Sequence, residues 1–175
     1  ISRIFGFIRD MLIARVLGAG RLSDIFLAAF KLPNMFRDLL GEGALSAIFI
    51  PMYTDSKKDE GFARNAFSWL MVLLLGITIL FEIFMPLVVW FLAPGFDATP
   101  GKLEMTVIIS RIMFVYVIFI CGAAFLSAIL NAFSRFLLAA LMPVLLNIML
   151  ICILLFAMLF GSTHILYLMA ITVVL

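Results

Sequence analysis

Trp69–Leu80 and Val144–Phe160 contain no charged residue, and both lie inside longer apolar segments. Crossing a hydrocarbon core of about 30 Å takes roughly 20 apolar residues as a helix. Within such a core every backbone donor and acceptor must be paired internally, which leaves helices and closed barrels. Barrel strands of about ten residues with apolar and polar alternation are not found in this sequence. With 66% hydrophobic residues, 13% charged residues and a mean hydropathy of +1.30, a soluble globular domain is excluded. The chain reads as an all-α membrane protein, a polytopic bundle of transmembrane helices.

Punctuation divides it. A first span from about 1 to 17 closes on Gly18-Ala19-Gly20, since glycine accepts the left-handed dihedrals of a helix end. Ser23 or Asp24 is expected to cap a second helix, about 24–53. Pro33 should kink it near Phe30–Lys31, and Gly41-Glu42-Gly43 should break it again. A polar loop, Thr54–Arg64, precedes a third span at about 65–92. The Pro/Gly loop Ala93–Lys102 leads to a fourth at about 103–130. The tight turn Asn131–Arg135 leads to a fifth at about 136–160, kinked by Pro143, and a sixth starts at about 164–175. The chain starts at Ile1 and stops at Leu175 inside an apolar run, so a fragment of a larger protein is expected.

Loop charges orient the bundle. Lys57, Lys58, Arg64 and Arg135 fall on one side, Arg21 and Lys102 on the other. The positive-inside rule then puts the 54–64 and 131–135 loops, and the N-terminus, in the cytoplasm.

The polar burden is concentrated at the front. The first two spans carry Arg3, Arg9, Asp10, Arg15, Asp24, Lys31, Asn34, Arg37, Asp38 and Glu42. An ionisable side chain inside a span costs several kcal/mol and usually faces a wet cavity or a partner. Arg3 and Asp10, seven residues apart, nearly share a helix face, with Arg9 about a third of a turn away. Asn34 and Arg37 are neighbours three apart. Arginine suits phosphate because its planar fork gives two parallel hydrogen bonds and stays charged in apolar surroundings. Arg3, Arg9 and Arg37 would suit an anionic ligand such as a diphosphate.

An equal alternative stands beside this one. Arg9 with Asp10 or Asp24, and Arg37 with Glu42, form salt bridges that merely lock helices together. Arg15 and Arg21 read as interfacial anchors, and Glu82 and Arg111 as structural charges that either pair across spans or snorkel to the interface. Asn147 reads either as interhelical glue or as part of the cavity. Cys121 and Cys152 read as core residues, and His164 as a residue near the interface. No metal-ligand cluster, nucleophile–base pair or phosphate loop is present in the sequence, so no enzyme and no cofactor is expected. Scattered basic residues and a net charge of +2 argue against nucleic acid.

The segments SRIFGFIRDMLIARVLGAG and SDIFLAAFKLPNMFRDLLGEGALSAIFIPMY, followed in order by LAPGFD, SRIMFVY, LSAILNAFSRF and MPVLLNI, resemble the MurJ (MviN) family of bacterial lipid II flippases. The resemblance covers essentially the whole chain. It implies a 14-helix transporter of the multidrug/oligosaccharidyl-lipid/polysaccharide exporter superfamily, multi-pass in the bacterial inner membrane. Two six-helix lobes would enclose a cationic cavity and alternate between inward-open and outward-open states. Two further helices would hold lipid tails. The substrate implied is lipid II, the undecaprenyl-diphosphate-linked peptidoglycan precursor, moved from the cytoplasmic to the periplasmic leaflet. Residues 1–175 would be most of the N-terminal lobe, with membrane lipids and the C-terminal lobe as its other partners.

On the family's pattern Arg9, Asp10 and Arg37 match essential cavity residues, and Arg3 matches another important arginine. Asp24, Asn34, Glu42 and Asn147 match further polar positions. A second cavity arginine and a sodium site would belong to the other lobe, and coupling to membrane potential or Na+ stays open. Val115 stands where many members carry proline, so a straighter fourth helix is expected. Rival readings are another exporter of the superfamily, taking drugs or other lipid-linked sugars, and a channel or structural bundle whose charges are closed salt bridges.

Overall fold

The computed structural model describes residues 2–18, 20–39, 45–55, 59–133, 136–160 and 165–174. They form eight helices: α1 (Ser2–Leu17), α2 (Arg21–Phe36), α3 (Leu45–Asp55), α4 (Glu60–Leu92), α5 (Lys102–Phe114), α6 (Tyr116–Ala132), α7 (Phe136–Phe160) and α8 (Ile165–Val174). Gly41–Gly43, His164 and the side chains of Arg3 and Pro143 lie outside the described residues, as does Glu42.

Gly18, at φ +69°, ends α1 in the left-handed region, where a side chain would be strained. Neither Ser23 nor Asp24 caps α2. The cap is Gly20, with no side-chain bond, and Asp24 already donates its backbone N–H to the Gly20 carbonyl at 3.1 Å. The helix therefore starts one turn before the acidic side chain, which is left for another partner. Pro33 sits inside α2, and the change of winding comes after it, at 37–39, as a wider π-type turn. α4 begins at Glu60 because Asp59 caps it, accepting from the N–H groups of Gly61 and Phe62 at 3.3 and 3.0 Å.

The fourth span changes its winding where Val115 stands. Its winding tightens at Val115, whose carbonyl accepts from the Ile118 N–H three residues on, at 3.2 Å. This separates α5 from α6 within one apolar run, Lys102–Asn131. With Glu60–Leu92 it is one of two described helices long and apolar enough to cross a membrane.

α1 packs on α7, α2 on α5, and α3 on α6, while α4 lies along α5 and α6, and α8 against α7 and α5. Three apolar clusters hold them. Ile13, Ile25, Met113, Leu154 and Met169 join α1, α2, α5, α7 and α8. Leu32, Leu74, Met85 and Phe114 join α2, α4 and α5. Phe49, Tyr53, Phe125 and Ala128 fasten α3 to α6. Between helices in lipid, close packing rather than apolar transfer supplies the attraction. Cys121 is buried as expected, whereas Cys152 is exposed; both are free thiols. On α7 the exposed stripe runs through Met149, Cys152, Leu155 and Phe156, so Cys152 faces outward with apolar neighbours rather than into the core.

α4 presents a long apolar outer face. Trp69 and Trp90 are exposed at the two ends of its apolar stretch, with Val72, Leu73, Ile79, Ile83 and Leu87 exposed between them. At 1.5 Å per residue the two indoles are about 31 Å apart along the helix, close to the hydrocarbon thickness of about 30 Å. Tryptophan prefers the two borders of that layer.

Candidate functional site: two arginine–aspartate units on the first two helices

Midway along α1, Arg9 folds onto its neighbour Asp10. Its Nε and Nη2 both donate to Asp10 Oδ1, at 3.0 and 2.8 Å. Its Nη1 donates across to Asn147 Oδ1 on α7, at 2.9 Å. The Arg9 side chain is 18% exposed and that of Asp10 is 63% exposed. The carboxylate is thus largely outside while the guanidinium is held against the bundle. Five N–H groups belong to a guanidinium, and three are engaged here; one remains on each terminal nitrogen.

The same unit recurs where α2 ends. Arg37 donates from Nε and Nη2 to Asp38 Oδ1, at 3.2 and 2.8 Å, with side-chain exposures of 26% and 55%. Phe36 anchors that end. Its ring meets Phe81 edge-on at 5.3 Å and Phe114 edge-on at 5.4 Å. Asn34, half-buried, precedes Arg37 by one turn, and its carbonyl accepts the Arg37 backbone N–H. Arg37 and Asp38 lie within electrostatic reach of the Tyr116 hydroxyl at the start of α6.

No hydrogen bond or ion pair among the described residues joins the two units. From the turn linking the helices, Arg9 lies eight residues below Leu17 and Arg37 sixteen below Arg21. At 1.5 Å per residue that is about 12 Å against about 24 Å. The guanidinium groups therefore stand at two depths.

Asp24 belongs elsewhere. Its Oδ2 accepts from Lys102 Nζ at 2.7 Å, and Lys102 also stands over the Phe96 ring, 4.1 Å from its centre. Alongside, Arg21 Nη2 donates to the Pro100 carbonyl at 2.9 Å. Gly101 lets the chain turn there at φ +71°, and a side chain would meet that guanidinium at 3.1 Å. Asp24 thus clamps the starts of α2 and α5. It is paired neither with Arg9 nor with Arg37, so an Arg9–Asp24 lock is ruled out. Glu82 and Arg111 approach each other, with Oε2 and Nε 3.8 Å apart. Glu82 Oε1 and Thr78 Oγ1, one turn apart on α4, are buried without partners.

Asp38 and Lys102 count only as charges in the sequence, with no partner assigned to either. Asp38 had a signal, because the dipeptide Arg-Asp occurs at 9–10 and again at 37–38. Lys102 had none, its partner lying 78 residues away. A cavity of about 190 Å³ opens between α6, α7 and α8, walled by Tyr116, Phe119, Leu145, Met149, Thr172 and Val173. It is mostly apolar, and neither arginine lines it. Among the described residues no group of acidic, histidine and cysteine side chains is placed to hold a metal ion.

Comparison with known proteins agrees with this architecture. The family described as "Lipid II flippase MurJ" matches residues 13–175. A protein of Rhizobium tropici, "Probable lipid II flippase MurJ", is 40% identical over 168 residues, covering 92% of this chain and 32% of its own length. "Lipid II flippase MurJ" of Burkholderia cenocepacia is 33% identical over 157 residues, covering 85% of this chain and 30% of its own. A solved structure, "Lipid II flippase MurJ, inward closed conformation", superposes with a TM-score of 0.80 at 26% identity, covering 99% of this chain and 38% of that one. The chain thus spans about a third of the length of these relatives. It has the helical fold of a polytopic membrane protein of the multidrug/oligosaccharidyl-lipid/polysaccharide exporter superfamily, in a family of transporters rather than enzymes. By a match over nearly its whole length, the chain belongs to the MurJ family of lipid II flippases.

Proposed function

We propose that the protein to which these residues belong moves lipid II from the cytoplasmic to the periplasmic leaflet of the bacterial inner membrane. Residues 1–175 supply most of its N-terminal lobe, and a second lobe closes the cavity. The observation that carries the reading is the pair of arginine–aspartate units. In each, a mostly covered guanidinium is tied to the adjacent carboxylate, so that it is oriented without being sealed between helices. In that state it keeps N–H groups for an anionic ligand, and a phosphate matches the fork.

The two depths suit a moving substrate. With the N-terminus in the cytoplasm, Arg37 lies nearer the cytoplasmic face and Arg9 farther in. The diphosphate passes from the first guanidinium to the second as the lobes rock. The wide turn at 37–39, next to Pro33, gives the bending point. The membrane potential can bias such a transition, since one charge crossing 100 mV changes energy by about 2.3 kcal/mol.

Ligand-dependent stabilisation of the full-length protein tests this. A ligand at a hundred times its Kd stabilises by about 2.7 kcal/mol. Lipid II should raise the unfolding midpoint, and a phospholipid of similar chain content should not. Stabilisation by drug-like cations and none by lipid II would favour another exporter of the superfamily.

A further inference from the structure

We infer that Asn147 is a positioning residue for Arg9, acting on the diphosphate only through that guanidinium. This rests on the reading of Arg9 as a phosphate ligand. Asn147 is 6% exposed, so its amide is shut off from any ligand in the cavity. Its Oδ1 takes the Arg9 Nη1 proton at 2.9 Å from 138 residues away. Its Nδ2 faces the α1 backbone at Gly6, where even an added methyl would lie 4.0 Å off. One turn on, Leu150 is fully buried in the apolar cluster that also holds Ile13 of α1. Among the described residues the amide is thus the polar contact in an otherwise apolar α1–α7 seam.

Its chemistry fits orientation rather than neutralisation. Asp10 grips one edge of the guanidinium through Nε and Nη2, which fixes the plane by one side only. Asn147 pins the third nitrogen from another helix. With both in place the group cannot swing about its stem, and the two unused N–H groups point in fixed directions. A neutral acceptor does this without cancelling the charge the ligand needs. A carboxylate at 147 would place Arg9 between two anions, and the site would lose its attraction for a third.

The test is a double-mutant cycle on the full-length protein in detergent, with farnesyl diphosphate as the probe and the unfolding midpoint followed in parallel. Asn147→Leu should weaken binding about tenfold with Arg9 present and leave it unchanged on an Arg9→Ala background. Asn147→Asp preserves the acceptor and the volume, so it guards against misfolding; it should also weaken binding while holding the midpoint. Equal losses in both backgrounds would mean that Asn147 acts without Arg9 and would overturn the inference. So would wild-type affinity in Asn147→Asp and Asn147→Leu, which would leave the amide as helix glue. Full affinity in Arg9→Ala alone would instead strike the reading of Arg9 as a phosphate ligand, and the inference would fall with it.

Discussion

Removing the Phe114 ring should loosen the end of α2 that carries Arg37. Phe114 is fully buried, stacked on Phe81 at 4.9 Å and edge-on to Phe36 at 5.4 Å. Phe36 immediately precedes Arg37, so this trio joins the arginine's helix to α4 and α5. In lipid the apolar transfer component largely drops out, because the surroundings are as apolar as the core. What remains is the void and the lost ring contacts. Phe114→Ala deletes about 100 Å³, which at about 24 cal/mol per Å³ costs about 2 kcal/mol if nothing collapses. Two aromatic pairs contribute about 0.5–1.5 kcal/mol each, so the whole effect should be about 3–5 kcal/mol. Phe114→Leu refills most of the space and should cost about half as much. Reversible unfolding of the full-length protein in bicelles measures both. A loss below about 1 kcal/mol for Phe114→Ala, or equal losses for the two variants, would refute the claim that the trio supports this end of α2.

Three further outcomes follow from the geometry. Asp24→Asn and Lys102→Met should show a coupling of about 0.5–1 kcal/mol in a double-mutant stability cycle, modest because the carboxylate is half exposed, and additive losses would dissolve the clamp. In vesicles of brominated phospholipids, Trp69 and Trp90, the chain's two tryptophans, should be quenched more by bromines near the headgroups than by bromines at mid-chain. The reverse order would contradict the placement of α4 across the bilayer. Arg111→Met strands a carboxylate whose Oε1 is already unpartnered, so it should cost about 1–3 kcal/mol. Glu82→Gln should cost less, and the opposite ranking would show that the pair is not what α4 and α5 share there.

The membrane class and the helical bundle were legible because spanning lengths and apolar runs are written directly in composition and order. Gly18 closed its helix for the reason a sequence reader would give. Features depending on who meets whom were hidden. Asn147 and Arg9 are 138 residues apart, and no local pattern announces that an amide on α7 will meet a guanidinium on α1. Asp24 looked like a cap, yet the chain enters α2 a turn early, and the carboxylate is spent on Lys102. The tightening at Val115 carries no proline or glycine to mark it. Arg9 and Arg37 were found as candidates from charge inside apolar spans, and their neighbours Asp10 and Asp38 repeat one dipeptide. Each guanidinium takes its carboxylate from the next residue rather than from an acidic side chain on a facing helix. For Arg9 that pairing is one of the two the sequence suggests, whereas for Arg37 the choice of Asp38 is a matter of side-chain rotamers that spacing does not reveal.

The most direct test of the cationic site is complementation in a bacterium depleted of its own lipid II flippase. It compares the full-length parent protein with Arg9→Ala and Arg37→Ala at matched membrane levels. The account predicts growth with the parent and none with either variant. Growth with both variants would show that these arginines only brace the helices, and would contradict the account at its centre.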